Sequence, residues 1–275
     1  MNARAVAAWS AACLFIVLST SNPAYKVLVL AAALAALAAG AGSIRMRPLL
    51  TGVMLVATFA VALNFVSAHL GATVLFSLPA WVPALGGPYT LEALAYGASG
   101  GVTIAAAILA AAPFSLLLKS HEVMDALPTS LARTGTAIAA SLNLVPAVAT
   151  SFVQVTEAQR LRGWRPRGPR SWAEVVVPVV LTSVEGSIQL AESMEARGYG
   201  SGPRTTVAPA RLNASDWWLI AASAAAVALF IASQAAGWAA DWAPYPTLST
   251  PAVDARPMIA CLLLLAPVWL WRSRA

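Results

Sequence analysis

Residues 157–164 read EAQRLRGW, and residues 192–199 read ESMEARGY. Superposed, they give Glu, four residues, Arg-Gly and an aromatic, with Arg162 and Arg197 thirty-five positions apart. Each copy closes an apolar segment of helical length with a glycine, the residue through which helices end in a left-handed conformation. Each also leaves an arginine on the last turn, where the negative end of the helix dipole favours a cation. Two helices with the same charged tip predict a docking element with two equivalent sockets.

The rest of the chain reads as membrane. Of 275 residues, 59% are hydrophobic and 10% charged, whereas soluble domains carry roughly a quarter charged residues. Apolar runs lie at about 5–20, 27–41, 49–68, 91–118, 217–236 and 258–271. Several are shorter than the ~20 residues of a perpendicular span, so tilt or local thinning is implied. The opening run resembles a signal peptide, but is read as a retained first span because the next helix needs a partner. The loops SLPAWVPALGGPY and GWAADWAPYPTLSTPAVDA are poor in cations and rich in Trp, Tyr and Pro, as non-cytoplasmic interfacial loops are. Cys13 and Cys261 sit in apolar runs near opposite ends. They are expected to face lipid or pack as small residues, with no disulfide.

Six spans with a cytoplasmic N-terminus put Arg4, Arg45, Arg47, the ten cations from Lys119 to Arg211, Arg272 and Arg274 inside, fifteen of the seventeen Lys and Arg. Only Lys26 and Arg256 fall outside. The positive-inside rule then places both termini in the cytoplasm, and the formal charge of +6 reports topology rather than nucleic-acid binding.

Residues 135–153 and 175–190 would also pass for spans. A hairpin of the two would carry RLRGWRPRGPR, with five arginines, to the wrong side. Their periodicity points the same way. At 100° per residue, Thr136, Asn143, Thr150, Gln154 and Glu157 share a face about 60° wide, and Glu174, Thr182, Glu185, Gln189 and Glu192 form a wider stripe. Such helices suit the cytoplasmic interface or the underside of a bundle. Pro146 and Pro178 are expected to kink them, and RPRGPRS is a basic turn. A short interfacial helix from Glu122 to Leu127, stopped by Pro128, precedes them. A Gly/Pro linker follows, in which the Asn213-Ala-Ser triplet carries no weight as a glycosylation site. The chain thus divides into N-terminal spans (1–118), a coupling-helix region (119–211) and C-terminal spans (212–275): an all-α membrane protein of about six transmembrane helices plus cytoplasmic interfacial helices.

Several chemistries lack their motifs. There is no P-loop, no HExxH or paired-cysteine spacing, and no GxSxG. His69 and His121 are isolated, and His69 reads as an interface residue. The spans hold few ionisable groups at mid-depth, where a translocation path needs them. Asn64 is the main polar candidate there, read as a helix-packing hydrogen bond. No catalytic residue, metal site or cofactor is expected.

A single basic residue at a helix end reads most simply as a cap or a lipid-phosphate contact. Two copies sharing Glu, Arg-Gly and an aromatic in one order favour docking, since the planar five-donor guanidinium suits a carboxylate or carbonyls in a partner groove. Arg160 has Glu195 as its counterpart and reads as surface charge. Glu157 and Glu192, five residues before their arginines, either orient them, contact a partner or are simply solvated.

With these residues in place, the sequence resembles the transmembrane T component of energy-coupling factor (ECF) transporters, which includes the cobalt-transporter permease-like family. The anchors are Ala126-Leu127-Pro128, Pro146, AQRLRG from Ala158 to Gly163, and MEARGYG from Met194 to Gly200. The family carries two Ala-Arg-Gly tripeptides; the second is intact as Ala196-Arg197-Gly198, while Leu161 stands where the first alanine is usual. The resemblance implies a non-catalytic subunit of an ATP-driven importer in the bacterial inner membrane. Arg162-Gly163 and Arg197-Gly198 would seat in two ATPase subunits, which bind the ATP. The membrane part would hold a separate substrate-binding S component for a vitamin or metal ion. Two other classes stay open: a self-contained channel or secondary transporter, and a lipid-modifying membrane enzyme.

Overall fold

The computed structural model describes residues 2–40, 43–79, 86–118, 132–199, 201, 212–239 and 241–272. The expected short helix at 122–127 and most of the linker after Tyr199 lie outside them. In chain order the elements are α1 (Ala3–Ser19), α2 (Pro23–Gly40), α3 (Ser43–Ser67), β1 (Val74–Leu78), β2 (Gly87–Thr90), α4 (Leu91–Leu117), α5 (Ala132–Leu161), α6 (Ala173–Ala196), α7 (Ala214–Ala235), α8 (Ala255–Leu263) and α9 (Ala266–Arg272). They fall into two compact units, 1–123 with 211–275, and 124–210.

In the first unit every expected apolar run is helical. The helices α2, α4 and α7, and residues Met46–Ser67 of α3, are long and apolar enough to cross a membrane, while α1 is shorter at 17 residues. In the second unit, length and composition would also let Pro169–Ala196 cross; the five arginines that argue against it lie just before its helix.

The sixth run is not one helix but two, α8 and α9. Pro267 has no N–H and its ring excludes the carbonyl four residues back. The neighbouring amides therefore tighten: Leu264, Leu265 and Val268 donate to Cys261, Leu262 and Leu265, three residues back, at 3.2, 3.0 and 3.0 Å. The Leu264 carbonyl, no longer used by Val268, accepts instead from Trp9 Nε1 of α1 at 2.9 Å. Within lipid an unmet backbone group costs several kcal/mol, so this bond both tolerates the break and ties the first helix to the last.

α4 packs against α1, α2 and α3, and α1 also packs against α7. Trp9, Ile16, Tyr25, Leu37, Leu109 and Phe230 are completely buried between these helices, with Tyr25 edge-on to Phe230 at 6.3 Å. Cys13 and Cys261 are buried and free, which settles their reading as packed rather than lipid-facing. Lys26, expected among the outside cations, turns its side chain into the bundle and donates to Ser99 Oγ at 3.2 Å.

α3 is joined to the bundle along α4 by two glycines. A Cβ at Gly97 would come within 3.1 Å of Val61 O and of Asn64 Cβ; one at Gly101 would come within 2.8 Å of Val61 Cγ2 and 3.1 Å of Ala57 O. Spacing of four between small residues lets two helix backbones approach closely in a membrane. The same contact corrects the reading of Asn64. Its Oδ1 is buried with no hydrogen-bond partner, because the facing residue, Gly97, has no side chain to offer. The outer face of α3, including Leu55, Phe59 and Leu63, is exposed.

The described parts of the loop between α3 and α4, residues 68–79 and 86–90, are more ordered than their Pro/Gly composition predicts. β1 and β2 pair antiparallel around residues 79–86. Tyr89 stacks on Phe76 at 4.6 Å, and His69 sits edge-on to Tyr89 at 5.3 Å with Nδ1 3.3 Å from Pro88 O, a packed interface position. The buried Glu92 carboxylate accepts from Thr73 N at 3.1 Å and from the Thr73 hydroxyl, pinning the approach to β1 onto the start of α4. At the head of α7, Asn213 serves as a helix cap, exchanging hydrogen bonds with Asp216 in a capping box.

Gly101→Ala is expected to destabilise the solubilised protein by about 1–3 kcal/mol, as overpacking does. Gly100→Ala, with nothing within 4 Å of the new Cβ, should be neutral or gain up to about 1 kcal/mol; thermal melts in detergent compare the two. Trp9→Phe should cost about 1–3 kcal/mol in the same assay, because the Leu264 carbonyl is stranded.

Candidate functional site

The second unit is a pair of long helices, α5 and α6, packed on each other and joined by a turn that ends in a 3-10 segment, Pro169–Trp172. Both helices run through their prolines, Pro146 and Pro178. In each, a threonine four residues on, Thr150 or Thr182, donates back to the proline carbonyl at 2.9 or 3.0 Å. Pro178 also leaves the Glu174 carbonyl without its helical donor. Gln159 of α5 supplies one, its Nε2 donating to Glu174 O at 3.1 Å, so the proline creates an anchor point between the helices.

The two repeated stretches end their helices identically. At the first, Trp164 N donates to Gln159 O at 2.9 Å and Gly163 N to Arg160 O at 3.0 Å. At the second, Tyr199 N donates to Met194 O at 2.9 Å and Gly198 N to Glu195 O at 2.8 Å. This nested pair is the Schellman motif, and it requires a left-handed residue at its apex. Gly163 has φ 88° and Gly198 φ 77°. Arg162 and Arg197 are the cap residues immediately before the reversal. Both are exposed, as are Ala158, Leu161 and Ala196. Leu161, the departure from alanine, is 91% exposed.

Glu157 and Glu192 are exposed too, and among the described residues neither pairs with its arginine. Five residues is about 140° around a helix, whereas partners on one face lie three or four apart. No such orienting pair is formed among the described residues. Of the polar stripes, Thr150, Gln154 and Glu157, and Glu174, Thr182, Glu185, Gln189 and Glu192, are exposed. Arg160 is exposed surface charge.

The aromatic positions, equal in sequence, differ in structure. Trp164 is buried in a small core with Val155, Val175 and Val179. Its indole donates to Ser171 O at 2.9 Å, and its ring meets Trp172 edge-on at 5.2 Å. Trp172 in turn stacks on Phe152 at 6.0 Å. Tyr199 is 51% exposed. This brace of Phe152, Trp164, Ser171 and Trp172 escaped sequence reasoning; the only signal for it was two tryptophans bracketing the basic turn.

Among the described residues no three His, Cys, Asp or Glu gather as a metal site, and the paired ends carry arginine rather than a titrating acid–base couple. By fold this is an integral membrane protein presenting two matched charged helix ends. The chain belongs to the CbiQ family of cobalt transport proteins, whose family model matches residues 1–207, both ends included. It is therefore a membrane-embedded subunit of cobalt transport. No curated protein matches it significantly.

Gly163→Ala and Gly198→Ala should each cost about 1–2 kcal/mol at the left-handed position. Amide hydrogen exchange at Trp164 or Tyr199, respectively, should accelerate by about tenfold, with the other end unchanged.

Proposed function

We propose that this chain is the coupling T component of an ECF-type importer for cobalt, transmitting the movement of two ATPase subunits to a separate substrate-binding membrane protein. The observation that carries the proposal is the duplicated end. Two helices stop in the same Schellman motif, each displaying an exposed arginine one residue before a left-handed glycine. Such an end is short, stiff and cationic, suited to insertion into a groove lined by carbonyls or carboxylates. Pairing the ends through α5 and α6 gives a lever with two points of attachment, which a motor of two subunits needs.

The count of cations supports the orientation, with the arginine ends in the cytoplasm of a bacterial cell and both termini on the same side. ATP would be bound by the partners, not by this chain. Cobalt would be held by the S component. Within this chain's bundle, an amine and a hydroxyl at Lys26 and Ser99 are a poor substitute for the ligand set a divalent transition ion requires.

The test is Arg162→Ala combined with Arg197→Ala in the full chain. Membrane insertion and yield should persist, while co-purification with the host's ECF-type ATPases and ATP-dependent cobalt uptake fall by more than about tenfold, the loss expected for two desolvated charge-assisted contacts. Uptake by the purified chain alone in liposomes, without ATP, would instead establish a self-contained transporter.

A further inference from the structure

The two ends share a backbone but not a charge. Residues 157–170 hold five arginines and one glutamate; the matching window, residues 192–205, holds two arginines and two glutamates. Arg165, Arg167 and Arg170 are exposed, and among the described residues no carboxylate pairs with them. They do not hold the turn together either. Arg167 contributes its backbone N–H, which donates to Ser171 Oγ at 3.0 Å, and Ser171 Oγ donates on to Gly168 O at 2.8 Å. The Trp164 indole closes the frame on Ser171 O. Three like charges are thus displayed on a braced turn, with self-repulsion and no internal compensation.

Resting on the reading of the ends as ATPase plugs, we infer that Arg165, Arg167 and Arg170 make a second contact at the first end alone, with acidic side chains rimming the groove that seats Arg162. Arg165 follows Arg162 by three residues, at most about 11 Å of chain, so whatever receives Arg162 lies within reach of the turn. The second end cannot use the same rim. Glu192 and Glu195 would be repelled by it, and the positions matching the three cations are Gly200, Gly202 and Thr205. The two seats are therefore chemically unequal: the first is acid-lined and salt-sensitive, the second is not.

Leu161 and Ala196 occupy equivalent exposed positions beside the arginines, and the native thiols of Cys13 and Cys261 are buried. Leu161→Cys and Ala196→Cys, each in the full chain assembled with the host's ATPases in nanodiscs of neutral phosphatidylcholine, are cross-linked to the ATPases with a thiol-to-amine reagent. Adding Arg165→Gln, Arg167→Gln and Arg170→Gln, which leaves the backbone frame intact, should lower cross-linking from position 161 by about tenfold, the sum of three exposed charge pairs. Cross-linking from position 196 should stay within about twofold. Raising salt from about 0.05 M to about 0.5 M should reproduce the first loss, since exposed charges are screened over that range. The inference is overturned if both cross-links persist or both fall together. It is equally overturned if the loss appears only in nanodiscs containing phosphatidylglycerol, which would assign the arginines to lipid headgroups. Failure of either cysteine in the parent chain to reach an ATPase would instead remove the plug reading itself.

Discussion

A backbone carbonyl deprived of its helical donor must be given another, and much of this structure is arranged around that requirement. In the membrane unit, Pro267 interrupts the last apolar segment and the freed Leu264 carbonyl is met by the indole of Trp9. In the helix pair, Pro178 frees the Glu174 carbonyl and the amide of Gln159 meets it. In both cases a proline weakens one helix and the donor comes from another, so a local defect becomes a long-range tie. The helix ends obey the same rule, since each Schellman motif returns two amides to carbonyls that would otherwise be left over at the terminus.

This explains why the ends are good docking features. A frayed terminus would lose its arginine to solvent disorder, whereas a terminus closed by two hydrogen bonds and a left-handed glycine fixes the direction in which the guanidinium leaves the helix. Cost enters through the aromatic that follows. At the first end Trp164 is consumed in bracing α5 against the start of α6, which makes that end part of a stiff corner. At the second end Tyr199 remains open. Identical backbone geometry therefore supports two different surfaces.

The helices were legible because a membrane span is a compositional event: a run of Ala, Leu and Val leaves few alternatives, and the runs at 5–20 and 27–41 differ from α1 and α2 by only a few residues. The ends were legible because glycine after a polar-striped helix has one common use. What escaped depended on contacts between distant residues. The run at 258–271 reads as continuous until Pro267 is weighed against a donor on α1. The strands are hidden in a Pro/Gly loop whose pairing is sustained by Tyr89, Phe76 and the Glu92 carboxylate. Lys26 sits at the mouth of α2 in sequence, but only the position of Ser99 on α4 explains its burial. Glu157 and Arg162 look like partners on paper, and helical geometry separates them.

The tie between Trp9 and Leu264 spans almost the whole chain, and that has a bearing on biosynthesis. The indole is synthesised 255 residues before the carbonyl that accepts from it. Until α8 and α9 are made and packed, α1 lacks the acceptor it has in the finished bundle. The later segment is thereby registered in the packing of the earlier one, and a chain cut between α7 and α8 would carry the mark of that cut at α1.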